Sequence, residues 1–350
     1  METYLIKDAD VWDKVLNKFV YDFYHLYSYV ELCSTFENGQ AALFFAQKDD
    51  NVFCLPVIIR PVPFSYSGEQ YDAISPYGYP GPLVHTATGE DRDNFIKESL
   101  QRFRETCKAN SIICAFVRFH PVLSPLSNSF KEYGYLLRHG ETVSINLSLS
   151  EEEMWRQIRY EHRSEIKKLL AVPHSVEVDS QWKYFSDFLE IYWQSMKRRN
   201  ADKFYFFSTE YFNQLRDALG ENLHLCVVKL DEQVACAGLF TEFNGIVQYH
   251  LSGTRTDYLR TYPNKLMLDY MRRWAKKRGN KFLHLGGGVG GHADSLFHFK
   301  AGFSKVRHSF YTWRAIMDDK AYAEMVRQWE IKSDLTADGI DGFFPAYRKE

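Results

Sequence analysis

The sequence predicts an α/β protein with mixed α+β sheets, arranged as two consecutive units. Its 350 residues exceed the usual size of a single hydrophobic core, so two domains are expected. Each half of the chain shows the same order of hairpin strands, helix, strand and helix. We place the boundary near residue 148, which gives one unit at 1–148 and a second at 149–350 that begins with a basic connecting helix.

The composition favours a folded protein, with 45% hydrophobic and 25% charged residues. A net charge of −2 creates no overall field that attracts nucleic acid, so phosphate binding would require a local basic patch. The six cysteines form no C-x-x-C pair and are expected to be buried free thiols. No signal-peptide pattern is present and no apolar run reaches about 18 residues, so we expect a cytoplasmic protein with no transmembrane segment.

The first half begins with a hairpin. The stretch "AALFFAQKDDNVFCLPVIIRPV" predicts two strands joined by a turn at Asp49–Asn51. The segment "YDAISPYGYPGPLV" is too rich in proline and glycine for a helix. A polar helix is expected from about Glu90 to Asn110, and the apolar run "SIICAFVRFHP" predicts the strand that follows it.

The second half contains three strands in "NLHLCVVKLDEQVACAGLFTEFNGIVQYHLSGT", with turns at Asp231–Glu232 and Asn244–Gly245. The stretch "YPNKLMLDYMRRWAKKRGNKFLHLGGG" predicts a helix with proline near its start, basic residues in its last turn and Gly279 past its end, followed by a strand. Between the halves, "SEEEMWRQIRYEHRSEIKKLLA" predicts one basic helix with a capping box of Ser150 and Glu153.

This order of elements resembles the acyltransferase fold called GNAT, and two such units in tandem resemble the FemABX family and its FemAB-like relatives. The matching stretches are "SPYGYPGPLV", "RQIRYEHRSEIKK", "YWQSMKRRNADKFYF", "YHLSGT", "HLGGG" and "FHFKAGF". The resemblance implies two GNAT-like units packed side by side and an acyl or aminoacyl transferase of peptidoglycan and cell-wall biosynthesis. The implied donor is aminoacyl-tRNA or another acyl donor, and the implied acceptor is a phosphorylated peptide or sugar.

The resemblance also implies the chemistry. An amine of the acceptor would attack the donor ester directly, with no metal, no acyl-enzyme and no cofactor, because the acyl donor is a co-substrate. In "FHFKAGF", the family motif places Lys300 beside the reacting ester, where an ammonium would stabilise the developing oxyanion. The simpler interpretation is an exposed lysine at a helix end. His250 or His284 is a possible general base, but no other feature of the sequence supports this role. His284, His292 and His298 lie close together but lack the regular spacing of metal ligands.

A cationic stripe is predicted on the connecting helix, because Arg156, Arg159, Arg163 and Lys167 follow one another at spacings of three, four and four. The stripe is either a solvated face paired with glutamates or a phosphate clamp for a nucleotide-linked sugar or a tRNA backbone. Arg163 is our first choice for a clamp, since a guanidinium binds phosphate through two parallel hydrogen bonds.

Two further groups of residues have open alternatives. In "MKRRN", Arg198 and Arg199 either cap the end of a helix or bind a diphosphate or carboxylate, and the sequence does not choose between them. The stiff "SPYGYPGP" loop either braces the first unit or presents Tyr77 and Tyr79 to a sugar or peptide. Asp72 would then hold the loop or an amine.

The strand "QYHLSGT" carries Tyr249, His250 and Ser252, and the corresponding GNAT strand diverges from its neighbour to bind the acyl donor. Acetyl-CoA-dependent members follow it with a glycine-rich R/Q-x-x-G-x-G/A loop that binds pyrophosphate at a helix N-terminus. Here the sequence continues "RTDYLRTYPNKL", so that loop is missing and acetyl-CoA is disfavoured.

In "HLGGGVGG", the glycines either let a substrate backbone approach closely, cradle a phosphate or form a plain turn. The three we select are Gly286, Gly287 and Gly288. No nucleotide-triphosphate P-loop occurs in the chain. The alternatives to the aminoacyl transferase are an N-acyltransferase that uses acyl-CoA or an acyl carrier protein, and a non-catalytic phosphosugar-binding module.

Overall fold

The computed structural model describes residues 1–63, 68–87 and 91–349, and the chain divides into two compact units. The first unit consists of Met1–His139 together with Ser309–Glu350, and the second consists of Gly140–His308. The sequence predicts that the C-terminal stretch belongs to the second unit. The structure instead places it in the first unit, because a strand and a helix from this stretch pack into the first unit's sheet and core.

The elements of the N-terminal part of the chain are, in order, strand β1 (Glu2–Ile6), helices α1 (Ala9–Leu16) and α2 (Tyr27–Phe36), strands β2 (Gln40–Lys48), β3 (Asn51–Pro61), β4 (Tyr71–Ile74) and β5 (Leu83–His85), helix α3 (Arg92–Ala109), strand β6 (Ile112–Arg118), helix α4 (Ser129–Glu132) and strand β7 (Tyr135–Asn146). Helix α3 is the predicted polar helix, and its expected start at Glu90 lies outside the described residues.

The remaining elements are helices α5 (Glu151–Gln157) and α6 (Tyr160–Leu170), strand β8 (His174–Val178), helices α7 (Phe185–Arg198) and α8 (Thr209–Leu219), strands β9 (Leu223–Leu230), β10 (Gln233–Phe243) and β11 (Ile246–Thr254), helix α9 (Pro263–Lys277), strand β12 (Phe282–Gly286), helix α10 (Ser295–Ala301), strand β13 (Val306–Ile316) and helix α11 (Asp319–Ser333). Short 3₁₀ turns connect several of them.

In the first unit the strands lie in the order β1-β2-β3-β4-β6-β13, with β5 on the side of β3. Neighbouring strands are antiparallel except for the parallel pair β4–β6. Helix α3 packs on this sheet through aromatic contacts that include Phe44 and Phe103 at 5.0 Å between ring centroids. Strand β13 joins the sheet by pairing Thr312–Ile316 with Cys114–Arg118, which explains why the C-terminal stretch belongs here.

In the second unit the order is β7-β12-β11-β10-β9-β8, with β11 and β12 parallel and the other neighbours antiparallel. The predicted turns at Asp231–Glu232 and Asn244–Gly245 are confirmed, since all four residues have positive φ, as two-residue hairpin turns require. Helix α9 also follows prediction, with Pro263 in its first turn and Gly279 at a positive φ past its end.

The prediction of a single connecting helix between the halves is wrong, because the segment forms two helices. It is broken between α5 and α6, where Ile158 and Arg159 are extended. Ile158 turns into the core, and the Arg159 amide donates to the Gly302 carbonyl at 2.7 Å instead of continuing the helix. The capping box of Ser150 and Glu153 is present at the start of α5.

All six cysteines are buried free thiols, as predicted. Burial raises the pKa of the Cys33 thiol to about 12, which keeps it protonated and unreactive. Over the part of the chain that the structure describes, none of the helices combines the length and the apolar character needed to cross a bilayer.

Candidate active site

The second unit contains an opening between two parallel strands. Strands β11 and β12 pair only where Ile246–Gln248 lies beside Phe282–His284. Beyond these residues β11 continues to Thr254 while the chain after β12 turns into the glycine run, so the two backbones separate. Gln248 and His284 close the paired end, with Gln248 Oε1 2.6 Å from His284 Nδ1 and both side chains buried. The divergence expected for a GNAT donor site is therefore present.

The open part of β11 carries the predicted residues Tyr249, His250 and Ser252, all half-buried. The Tyr249 hydroxyl contacts the Ser252 hydroxyl in a short hydrogen bond, and its ring stacks on Phe240 with 5.2 Å between centroids. Burial raises the pKa of Tyr249 to about 12, so this side chain is a neutral hydrogen-bonding group at physiological pH.

The glycine run is shaped by close approaches within the chain itself. Gly286 adopts a positive φ of 76°, which turns the chain at the end of β12. A Cβ on Gly287 would lie 2.8 Å from the Glu141 carbonyl oxygen, and one on Gly288 would lie 2.0 Å from the His292 carbonyl oxygen. These positions therefore require glycine for the fold, and contact of Gly286, Gly287 or Gly288 with a substrate stays a prediction.

Lys300 lies at the open end of β12, because its ammonium donates a hydrogen bond of 2.7 Å to the Gly287 carbonyl. Desolvation by burial lowers the pKa of Lys300 to about 7, the negative charge of Asp294 opposes this effect and the positive charge of Arg199 adds to it. An ammonium has three donors, and the fold uses one of them here. Lys300 is thus a half-buried, pre-positioned donor that titrates near neutral pH.

Asp294 joins the glycine run to helix α10. Its carboxylate caps the helix by accepting from the Phe297 amide at 2.8 Å and also accepts from the Val289 amide at 3.1 Å. Burial raises the pKa of Asp294, but these amides and the charge of Lys300 outweigh it and the net pKa is lowered. The sequence analysis missed this residue, although an aspartate directly before "SLFHFKA" is a helix N-cap signal.

The structure distinguishes Arg198 from Arg199 at the end of α7. The Arg198 guanidinium donates to the Ser195 hydroxyl, the Thr254 carbonyl and the Thr256 hydroxyl, so it is bound to the end of β11. Arg199 is exposed, and its positive charge lowers the pKa values of both Lys300 and Tyr249. Arg199 is therefore the arginine near the Lys300 ammonium and the open strand.

Of the three arginines in the predicted cationic stripe, two are bonded to protein groups and one remains for a ligand. Arg156 pairs with Glu152 at 3.0 Å on the exposed face of α5, and Arg159 donates to the His298 carbonyl at 3.0 Å. Arg163, on α6, is half-buried and makes no side-chain hydrogen bond or ion pair within the described ranges. Its neighbour His162 contacts α10, with Nε2 3.0 Å from the Phe299 carbonyl, so α6 borders the helix that carries Lys300.

The N-terminus of α9 follows the open strand, at the place where a pyrophosphate would be bound in an acetyl-CoA site. Pro263 has no N–H group there, and the Lys265 amide donates to the Tyr262 carbonyl at 3.0 Å. The Lys265 ammonium is paired with Glu165 and lies 4.3 Å from the centre of the Tyr262 ring. Two of the first three positions of this helix therefore offer no free amide to an anion, and the nearby lysine is neutralised by Glu165.

Three predicted residues belong to the first unit. Asp72 is fully buried, and its carboxylate accepts from the Arg60 guanidinium at 2.8 Å, the Tyr347 hydroxyl at 2.9 Å and the Arg348 guanidinium at 2.5 Å. This corrects the interpretation that Asp72 holds the proline-rich loop or an amine, since the carboxylate already binds three donors, two of which belong to the C-terminal residues.

The tyrosines of the proline-rich loop, Tyr77 and Tyr79, are half-buried. The Tyr77 carbonyl accepts from the Tyr29 hydroxyl at 2.9 Å, and the Tyr79 ring makes edge contacts with Tyr24 and Phe310. These contacts brace the loop within the first unit. A sugar- or peptide-binding role for the two tyrosines stays a prediction. Among the described residues, no group of three or more histidines, cysteines or carboxylates is placed to hold a metal ion.

Comparison with known proteins places this geometry in a class. Residues 156–300 match the family model described as an acetyltransferase (GNAT) domain. FemX is similar in structure, with a TM-score of 0.70 and 14% identity, covering 93% of this chain and 99% of FemX. L-PGS from Bacillus licheniformis has a TM-score of 0.55 and 13% identity, covering 89% of this chain and 92% of that chain. No curated protein matches the sequence.

A third similar structure is the C-terminal DUF2156 domain of an Agrobacterium fabrum protein named for lysylphosphatidylglycerol synthetase. Its TM-score is 0.54 at 14% identity, with 92% of this chain and 96% of that chain covered. Residues 156–300 are therefore a GNAT acyltransferase domain. Over 93% of its length the chain has the fold of FemX, in agreement with the FemAB-like resemblance of its sequence motifs.

Proposed function

We propose that the protein transfers an aminoacyl group from aminoacyl-tRNA to an amine of a phosphorylated peptide acceptor, such as a peptidoglycan precursor. The observation that carries the proposal is the position of the Lys300 ammonium at the open end of the diverging strands. Arg199 lies within electrostatic range of it, and Arg163 offers a guanidinium with no protein partner in the described structure. The donor is a co-substrate and no cofactor is needed.

The reaction requires an amine to attack the ester carbonyl carbon. A C–N bond forms as the carbonyl π electrons move to oxygen, and the C–O bond to the donor breaks as the oxyanion collapses. The free donors of the Lys300 ammonium would stabilise that oxyanion. The attacking nitrogen loses a proton, which the departing donor oxygen takes up. Because the acceptor amine attacks the donor ester itself, no acyl-enzyme forms. Arg163 would bind a phosphate of the acceptor, and Arg199 would bind a second phosphate or a carboxylate.

The N-terminus of α9 favours this donor over acyl-CoA, because it offers fewer amides than a pyrophosphate site. A pyrophosphate needs free first-turn amides, whereas this turn holds Pro263 and a Lys265 amide that is already bonded. An aminoacyl ester needs only the open strands and the oxyanion donor. A donor carried by an acyl carrier protein is the second candidate. Its phosphopantetheine has one phosphate rather than a pyrophosphate, so it does not need a pyrophosphate site at the start of α9 either.

The test is a transfer assay with the full-length protein. It is incubated separately with mixed ¹⁴C-aminoacyl-tRNA, acetyl-CoA and an acylated carrier protein, each with a nucleotide-linked peptide acceptor, and products are identified by mass spectrometry. We expect an aminoacylated peptide only with aminoacyl-tRNA, and its loss in Lys300→Met but not in the exposed control Lys305→Met. Turnover with acetyl-CoA alone would overturn the proposed donor, and transfer unaffected by Lys300→Met would overturn the proposed site.

A further inference from the structure

The segment between α7 and α8 combines exposed aromatic rings with a concentration of positive charge. Phe204 and Phe206 are 45% and 44% exposed, although large apolar side chains are usually buried. The segment from Lys197 to Phe206 contains four basic residues and one acidic residue, a local charge of +3 in a chain of net charge −2.

An anchored turn holds the Phe206 ring outward, while the Phe204 ring packs edge-on against Phe207 with 5.6 Å between centroids and stays 45% exposed. The Tyr192 hydroxyl donates to the Tyr205 carbonyl at 2.7 Å, and the Trp193 indole donates to the Phe207 carbonyl at 2.8 Å. The Phe207 ring is buried and stacks on Tyr211 at 4.2 Å. Because both residues that flank Phe206 are fixed to α7 and α8, the exposure of its ring is built into the fold and is not the result of a frayed loop.

The charged residues complete the surface. Asp202 uses its carboxylate to accept from the Phe204 amide at 2.9 Å, so it caps the 3₁₀ turn Lys203–Tyr205. Lys197 and Lys203 are exposed and make no ion pair within the described part of the chain. The result is an apolar tip with a cationic collar, which we call the Phe204/Phe206 tip.

We propose that the Phe204/Phe206 tip docks the protein peripherally on an anionic lipid bilayer. Phenylalanine rings enter the boundary between headgroups and acyl chains, and lysines beside them interact with anionic headgroups. A bilayer fits better than RNA because both protruding rings lack polar atoms, while the one tyrosine of the turn, Tyr205, is half-buried. The segment contains Arg199, whose charge acts on Lys300, so docking would hold the Lys300 site close to the membrane surface.

The test is co-sedimentation of the full-length protein with vesicles of phosphatidylcholine, with and without about 30 mol% phosphatidylglycerol. We expect binding only to the anionic vesicles, and weaker binding at high salt. The double variant Phe204→Ser/Phe206→Ser should weaken binding at least about tenfold, and Lys203→Glu about fivefold or more. The matched controls are Phe343→Ser and Lys277→Glu, which change exposed residues outside the tip.

The outcomes distinguish a lipid bilayer from RNA as the ligand of the Phe204/Phe206 tip. Loss of vesicle binding in the tip variants, with controls and melting temperature unchanged, supports membrane docking. Equal binding by the tip variants and the parent, or no binding to anionic vesicles, overturns it. A parallel fluorescence titration with transfer RNA identifies the alternative, because tip-dependent RNA binding without vesicle binding also overturns the proposal. The experiment measures association without turnover, so its result is separate from that of the transfer assay.

Discussion

The Lys300 ammonium gives the sharpest prediction, because its protonation changes within the working pH range. Burial lowers its pKa from 10.5 to about 7. A lowering of this size corresponds to roughly 5 kcal/mol in favour of the neutral amine, an upper value because water reaches part of the side chain. If the ammonium stabilises the oxyanion, the active fraction is nearly complete at pH 6 and falls about tenfold for each pH unit above 7.

The assay is the pH dependence of kcat for the donor and acceptor pair found in the transfer experiment. The attacking amine must be neutral, so its own ionisation adds an ascending limb to the profile. Comparison with Lys300→Arg isolates the descending limb, since a guanidinium stays protonated throughout. We expect the ratio of parent to Lys300→Arg activity to fall as pH rises through about 7, and Lys300→Met to lose about 100-fold to 1,000-fold in kcat at pH 6.

A ratio that rises through pH 7 would refute this reasoning and would identify neutral Lys300 as a general base. Stability provides an independent check with a defined sign. Because the folded-state pKa is lowered, the unfolded chain binds more protons between about pH 7 and 10.5. The contribution of Lys300 to the free energy of unfolding therefore rises across that window, and Lys300→Met should remove this part of the pH dependence measured by urea denaturation.

Arg199→Gln extends the same prediction. The positive charge of Arg199 lowers the pKa of Lys300, so its removal should raise that pKa and move the descending limb of the kcat profile to higher pH. Arg198→Gln is the matched control, because this guanidinium is hydrogen-bonded to Thr254 and Thr256 and is not among the charges that shift Lys300. An unchanged limb in Arg199→Gln would contradict the electrostatic coupling.

Three further predictions concern binding, stability and the glycine run. Arg163→Gln should raise KM for the phosphorylated acceptor about tenfold or more with little change in kcat, whereas Arg156→Gln should change neither. Asp72→Asn should lower the free energy of unfolding in urea by roughly 3–5 kcal/mol. The control Glu98→Gln, which breaks a surface ion pair with Lys48, should cost less than about 1 kcal/mol. Gly287→Ala should lower kcat, because the added Cβ displaces the carbonyl that holds the lysine. Unchanged kcat in that variant would show that this contact is dispensable.

The hairpins could be predicted because their signals are local. Asp231–Glu232 and Asn244–Gly245 specify two-residue turns wherever their strands lie, and both were found with the required positive φ. The position of the C-terminal stretch has no such signal. It depends on the pairing of Thr312 with Arg118, which lie far apart in the sequence. The sequence therefore predicts a single boundary near residue 148 and does not show that the chain returns to the first unit.

The same distinction applies to the site. The motif around Lys300 and the divergence of β11 from β12 follow from a recognisable order of elements. The choice between Arg198 and Arg199 does not, because adjacent positions at a helix end point in different directions and only the packing shows which one is bonded to β11. The broken connecting helix has a tertiary cause too, since the Gly302 carbonyl takes the Arg159 amide out of the helix.

The proposed choice of donor rests on the fold and not on one motif. The sheet of the second unit opens where β11 and β12 separate, and the proposed acyl donor would bind at this opening. In this chain the helix that follows begins with Pro263, which has no N–H group, and carries the Lys265–Glu165 pair in its first turn. The positive charge lies instead on Arg163, Arg199 and Lys300. We expect the protein to bind the donor through its ester at the open strands. The positively charged side chains would then bind the phosphates of the acceptor.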